Sequence, residues 1–497
     1  MKLPRLEVLS SDEIIQIHNA SMEILEDVGV KIDVGEAREI LKKAGAEVNE
    51  ESHMVKMPEY MVKEALNKAP SQFVLYGREE KFKLRVGGDT LTFTFSPTPV
   101  KIIDSETGKV RETTLKDVEN KYRLIDALKY INTSHTDVWA HDVPFTTIHA
   151  YEILTWAKNT IKCFGIGPYG VMASQDVINM VSMVAGGEEE LIKKPRIIGF
   201  YNPVSPLQTS DIVMRGMMIF NRYKQPMIIA PEAQAGATAP STLAGLLVQQ
   251  NAEILSSLVL CELVSPGTPV LYGTVSTITD MRTGNIALGS IETGLIYAAS
   301  AQLAKFYRLP SRALAGTSES MLVDIQAGFE KALTLFMAAA ARINYITCAG
   351  TIESSITTNM ELIMIDEELI GMIRRSLEGI EVNENTLAVD VIKEVGAGGS
   401  YLSHKHTLRN FQKEQYIPFL IDRSKREVWE KRGSKSIIDV AREKWQKILK
   451  EHQPEPLDKS VEKNLLDYLE MVKKRTIDDY FKAEGIERRP TGLPNLP

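Results

Sequence analysis

Residues 226–275 read PMIIAPEAQAGATAPSTLAGLLVQQNAEILSSLVLCELVSPGTPVLYGTV, and the order of patterns within them decides the fold. A short β-rich run, PMIIAPE (226–232), gives way to a long helical stretch at 240–264. A second β-rich run, PVLYGTV (269–275), follows. Two strands joined through a helix lie parallel, because the chain must cross back over the sheet before pairing again. The same unit recurs in both directions. Upstream stand LTFTF (91–95), SHTDVWA (134–140), IKCFGIG (161–167) and RIIGFYN (196–202), and downstream SRALAGT (311–317) and INYITCAG (343–350). Helical stretches follow these strands at 114–131, 149–158, 174–190, 209–223, 240–264, 289–307, 324–342 and 366–377. Strict alternation over eight units predicts an α/β chain closed as a (β/α)8 TIM barrel. A doubly wound open sheet is the alternative, but no GxGxxG or P-loop follows any of the strands.

The barrel so read occupies residues 91–394. Residues 1–90 form an N-terminal helical and mixed layer. There Ser10-Ser11-Asp12-Glu13 opens a helix over 14–28 that Gly29 ends, and 35–45 and 58–69 give two more amphipathic segments. Residues 395–497 begin with the glycine-rich VGAGGSYLSHKHTLRNF (395–411) and continue as Lys/Glu-rich helices at 425–450 and 457–474, packed on the barrel. The chain has 497 residues, 44% hydrophobic and 25% charged, which excludes disorder. With 58 Lys and Arg against 65 Asp and Glu, it is no nucleic-acid binder by charge. No uninterrupted apolar run reaches the roughly 18 residues of a membrane helix. The opening MKLPRLEVLSSDEI lacks an apolar signal core, and Cys163, Cys261 and Cys348 form no CxxC. A cytoplasmic protein with no membrane partner is expected. The apolar helix segments 252–264 and 333–341 predict self-association.

In a barrel of this kind chemistry gathers past the C-terminal strand ends. Those positions hold Phe95, Trp139, His141, Tyr201, Asn202, Glu232, Gln234, Tyr272, Thr317 and Glu353. Aromatic rings beside a carboxylate suit a cationic, methyl-bearing ligand, since a π-face attracts a quaternary ammonium. Trp139, Tyr201 and Tyr272 are therefore expected to line a cage reached by Glu232 and by His404 or His406. Arg312 opens its strand and is expected to point to the bottom of the barrel. A metal-dependent hydrolase would draw on His135, His141, His149 or the His404-Lys405-His406 pair, yet no familiar ligand spacing appears. A serine triad lacks its G-x-S-x-G elbow.

Several blocks resemble one family. AQAGATAPSTLAG (233–245), NAEILSSLVLCELVSPGTPVLYG (251–273), DMRTG (280–284) and QAGFEKALTL (326–335) are similar to the trimethylamine methyltransferase family. So are DSETGKVRETTLKDV (104–118), IDEELIGM (365–372) and VGAGGSYLSHKHTLRNF (395–411). The resemblance implies a (β/α)8 barrel that demethylates methylamines or quaternary amines and passes the methyl group to a cobalt corrinoid. It further implies that this cobalamin-type cofactor is carried by a separate small protein, so that the chain binds none alone. The archetype of the family uses pyrrolysine, whereas TCAGTIE (347–353) here consists of standard residues. The chain thus resembles the pyrrolysine-lacking branch, which acts on glycine betaine, proline betaine, carnitine or butyrobetaine. A second departure lies in GTSESMLVDIQAG (316–328), where Ser318-Glu319-Ser320 replace an expected acidic residue, small residue and lysine.

Glycine betaine is the first expected substrate, in a quaternary amine:corrinoid protein Co-methyltransferase. Its carboxylate would be held by His404, His406, Asn202, Gln234, Thr317 or backbone amides at a helix start. A non-catalytic quaternary-amine-binding protein and a metal-dependent barrel hydrolase are the competing readings.

Overall fold

Eight short strands hydrogen-bond into one closed ring in the computed structural model, which describes residues 3–95, 99–135 and 140–485. They are β1 (Thr92–Phe95), β2 (Ile131–His135), β3 (Phe164–Ile166), β4 (Ile197–Tyr201), β5 (Met227–Ile229), β6 (Val270–Thr274), β7 (Ser311–Leu314) and β8 (Tyr345–Ala349). They pair in parallel in chain order, and β8 returns to β1 with Tyr345 opposite Thr92. A closed ring has no edge strand, so the open-sheet alternative falls. The crossovers run through α1 (Leu115–Ala127), α2 (Ile148–Asn159), α3 (Gly170–Ala185), α4 (Asp211–Arg222), α5 (Leu243–Val264), α6 (Ile291–Phe306) and α7 (Ile325–Ala340). α8 (Met360–Glu378) follows the last strand.

Local hydrogen bonds explain where boundaries differ from expectation. The second strand was expected at 134–140 but starts at Ile131. The Glu367 carboxylate on α8 accepts the N–H groups of Lys129, Tyr130 and Ile131 at 2.9, 2.8 and 2.8 Å and fixes that start. α8 begins before Asp366, because the Asn359 side chain accepts the Leu362 N–H at 2.9 Å and caps it. α3 stops at Gly186, whose φ of 89° ends a helix at little steric cost, and a separate turn of helix, Glu188–Lys193, follows. At the N-terminus Ser10 and Glu13 form the expected capping box.

The barrel interior holds Cys163, Ile198, Ile228, Leu271, Leu314 and Tyr345. Phe73, Leu75 and Val86 join the same cluster from the hairpin Gln72–Tyr76/Lys83–Gly87. The hairpin closes the end where the strands begin: Tyr76 N–H donates to Pro195 O, just before β4, at 2.8 Å. The N-terminal layer thus supplies a β plug as well as helices. Its helices Ser11–Glu23 and Glu59–Lys68 pack on α5. By length and composition α5 could cross a membrane, yet most of it is buried in the fold.

The surface expected to drive self-association is therefore redistributed. Residues 252–264 lie under the N-terminal helices, whereas α7 leaves Phe329 and Leu333 more than half exposed. The barrel's last helix ends at Glu378. Residues 379–394, expected within the barrel segment, run outside it as the short helices Glu384–Leu387 and Val389–Val395. The C-terminal helices Ile437–Glu451 and Lys459–Val472 pack on α8 and α1 and on α2 and α3 respectively.

Candidate functional site

Strand alternation decides which side chains enter the barrel. On β4, Ile198 and Phe200 face inward while Tyr201 faces the helices; on β7, Arg312 and Leu314 face inward while Ala313 faces out. The inward side chains at the C-terminal ends of the strands meet in one polar cluster within an apolar wall.

Arg312 stands at its centre, fully buried. Its Nε donates to Thr347 Oγ1 and its Nη1 to the carbonyl of Thr274, both at 3.1 Å. Thr274 ends β6, so the guanidinium reaches up to the mouth instead of down to the bottom of the barrel. The sequence expectation for Arg312 is corrected by this register. The guanidinium carbon lies 4.9 Å from the centroid of Phe200, which is half-buried. Burial pulls the guanidinium down to about 10 on the pKa scale, against the opposing fields of Tyr297, Tyr345 and Glu232. Glu232, just past β5, is half-buried, and desolvation raises its pKa while the field of Arg312 lowers it. The hydroxyls of Tyr297 and Thr317 are buried here without a partner among the described residues.

The loops after β7 and β8 are locked together at the same end of the barrel. Lys331 of α7 donates to Thr351 O at 3.1 Å, touches Gly316 O and lies 3.2 Å from Asp366. Asp366 accepts the Gly350 N–H at 2.7 Å, and burial pushes its carboxyl upward against the pull of Lys331. The departing segment Ser318-Glu319-Ser320 folds back on its neighbours: Ser318 Oγ donates to Glu330 at 2.6 Å, and Glu319 accepts the Gly289 N–H at 2.9 Å.

The expected site residues divide by position. Asn202, Glu232, Thr317 and Glu353 stand on the loops at the mouth, Gln234 lies on the short strand Gln234–Ala235 just past β5, and His141 is exposed on the rim. Glu353 is tied down, accepting from Thr357 Oγ1 at 2.8 Å. Trp139 lies outside the described residues. Tyr201 and Tyr272 are corrections, because both point outward into the helical layer. Tyr201 sits among Ser257, Glu253 and Asp211, and the Tyr272 hydroxyl donates to Asn251 Oδ1 at 3.0 Å. Phe95 also faces out, 4.8 Å below the Lys121 amine on α1. His404 and His406 are not on a strand. His404 caps the helix Lys405–Glu414, its Nδ1 accepting the His406 N–H at 3.0 Å. That helix ends beside Arg375 of α8, on the side of the barrel where the strands begin.

Tyr297 is missing from the sequence reading, which chose Tyr201 over its neighbour Phe200 for the cage and sent Arg312 to the bottom of the barrel. In parallel strands buried on both faces, the adjacent rings of Phe200 and Tyr201 give no hint of which one turns inward. The usable signal was an arginine in the inward register of Ser311–Leu314.

The remaining reactive groups are structural. Burial drives the Cys163 thiol up to about 12 and the Cys348 thiol further. His149 pairs with Asp176 at 3.0 Å on the outside, where Tyr468 also donates to Asp176. Among the described residues no three His, Cys, Asp or Glu side chains gather to hold a metal.

Comparison with known proteins adds a family. A family model described as trimethylamine methyltransferase (MTTB) matches residues 1–477. The chain is 34% identical over 469 residues to a glycine betaine methyltransferase of Desulfitobacterium hafniense (strain Y51), a match covering 94% of this chain and 97% of the relative. It is 38% identical over 467 residues to trimethylamine methyltransferase MttB of Methanosarcina barkeri, covering 93% and 94% respectively. Among solved structures, the monomethylamine methyltransferase MtmB of Methanosarcina barkeri matches over 90% of this chain and 96% of that one, at 13% identity and a TM-score of 0.45.

Proposed function

The chain belongs to the trimethylamine methyltransferase family, and from that premise we propose that it demethylates a quaternary amine, glycine betaine first. The methyl acceptor in this reading is the reduced corrinoid of a separate protein, which supplies the nucleophile. The C–N bond to one methyl breaks with its electron pair going to nitrogen, so a neutral tertiary amine leaves and no proton has to be delivered. Trimethylamine, by contrast, would leave as an amide anion unless its nitrogen were protonated or otherwise activated.

The observation that carries this reading is the run TCAGTIE (347–353) at the end of β8. The Thr347 hydroxyl accepts from Arg312, Cys348 is buried with a raised thiol pKa, and Gly350 offers no side chain. None of these is an electrophile that would activate a tertiary amine. What the mouth does offer is a carboxylate, Glu232, and the half-buried ring of Phe200, groups that bind a cation and strip water from it. One carboxylate is favoured over several, since positive charge leaves nitrogen in the transition state and a stronger grip would hold the ground state back.

The test is methyl transfer itself. Enzyme and a corrinoid protein reduced to Co(I), its competence checked with methyl iodide, are mixed anaerobically with glycine betaine, proline betaine, carnitine, butyrobetaine and trimethylamine. Methylation of the corrinoid by a quaternary amine supports the reading. Binding of such an amine without transfer would favour a non-catalytic binding protein.

A further inference from the structure

Several deeply buried charges in this protein have a visible counterpart. Lys331 has Asp366, Asp176 has Arg475 and His149, and Glu361 has Arg442. Buried Lys162 is satisfied by the carbonyls of Ile125, Leu128 and Ile131 at 2.7, 2.7 and 3.0 Å. Such matching is expected, since a buried charge without partner is costly. Arg312, at the inner end of the mouth, has no such counterpart among the described residues. No carboxylate lies within 4.0 Å of it among the described residues, and its Nη2 is buried without a hydrogen-bond partner there. Two of its three nitrogens are spent on the barrel wall, on Thr347 Oγ1 and Thr274 O, and this leaves the third fixed in direction. Glu232 shares the mouth and feels the field of Arg312, yet forms no ion pair with it.

We propose that Arg312 is the specificity-determining residue of the mouth, its free Nη2 binding the carboxylate of a zwitterionic quaternary amine while Glu232 faces the ammonium end. The assignment rests on the quaternary-amine reading above and narrows it to substrates that carry a carboxylate. A cation and a carboxylate that share the mouth and form no ion pair among the described residues complement a zwitterion and penalise a simple cation, which would leave the guanidinium unmatched. The buried hydroxyl of Tyr297, which lies in the field of Arg312, offers a further donor to the same end of the ligand. Burial lowers the guanidinium only to about 10, so it stays charged at neutral pH.

Calorimetric titration of the free enzyme tests this without the corrinoid protein. The ligands are glycine betaine, its uncharged primary amide and tetramethylammonium. Wild-type protein is expected to bind glycine betaine about tenfold or more tighter than the amide, as a charge-assisted hydrogen bond warrants. Arg312→Gln should erase that preference and bind tetramethylammonium no more weakly than wild-type protein does, since the unmatched guanidinium that penalises a simple cation is gone. Arg312→Lys should restore part of it. Equal loss of all three ligands in folded Arg312→Gln protein would mean that the residue only holds the wall, and would overturn the proposal. So would a wild-type Kd for the amide equal to that for the betaine, a comparison that stands even if the variants fail to fold. Tetramethylammonium binding with no preference for the carboxylate sinks this assignment alone. Failure of every quaternary ammonium compound to bind sinks the quaternary-amine reading with it.

Discussion

In the proposed reading Glu232 carries the charge that a cationic substrate meets, and its ionisation sets a pH dependence of binding. Desolvation lifts its pKa above the ordinary 4.5, with Arg312 pulling the other way. The carboxylate form attracts the ammonium, so substrate binding should hold at neutral pH and fall as pH drops through this raised value. Glu232→Gln should weaken binding by about 1 kcal/mol at pH 7 and flatten the profile. A profile identical to wild type would remove Glu232 from the site. Tyr272 makes the opposite case. Its hydroxyl serves Asn251 in the helical layer, so Tyr272→Phe should cost about 1 kcal/mol of stability and leave KM unchanged. A raised KM with unchanged stability would return the ring to the cage. At this scale the sequence was half legible. The strand ends and the residue types on them were legible, but the one-in-two choice of face placed Tyr201 and Tyr272 wrongly, passed over Phe200 in favour of its neighbour, and sent Arg312 to the wrong end.

Elements were easier to read than faces, because eight alternating β and α patterns are long-range signals that one misjudged residue does not break. The exceptions have local causes. β2 presents Asn132, Thr133 and Ser134, a polar run that masks a strand pinned by Glu367 on a distant helix. Histidines 404 and 406 looked like strand ligands because their spacing fits a strand, but the chain there turns into a helix that His404 itself caps. Helix α5 offers a prediction of its own. Near its C-terminal end Glu262 accepts the Gly267 N–H at 2.6 Å while its other oxygen is buried without a partner among the described residues. Burial raises its pKa from 4.5 to about 7. The folded chain therefore holds a proton that the unfolded chain releases in that interval. Stability from this site is full below about pH 4.5 and lost as pH rises through about 7. Glu262→Gln should match wild type in urea denaturation at pH 5 and exceed it at pH 8 by about 2 kcal/mol. Parallel stability curves across that range would contradict it.

Across the whole molecule, closure gives the site its one-ended character. The hairpin carrying Phe73, Leu75 and Val86 plugs the strand origins, while Lys331 and Asp366 tie the last two loops at the other end. Neither feature was legible in the sequence, since the hairpin fills the barrel from outside the repeat and the ion pair joins α7 to α8. The repeat itself, and with it the location of the mouth, was legible. What the molecule as a whole is proposed to do is narrow: hold a methylated cation with its carboxylate end fixed and one methyl presented to an acceptor protein. The most direct measurement follows both products at once, with glycine betaine or trimethylamine as sole donor to a corrinoid protein poised as Co(I). The account predicts dimethylglycine and methylated corrinoid in equal amounts from glycine betaine, and no transfer from trimethylamine. Transfer from trimethylamine with glycine betaine and every other quaternary amine inert would contradict it.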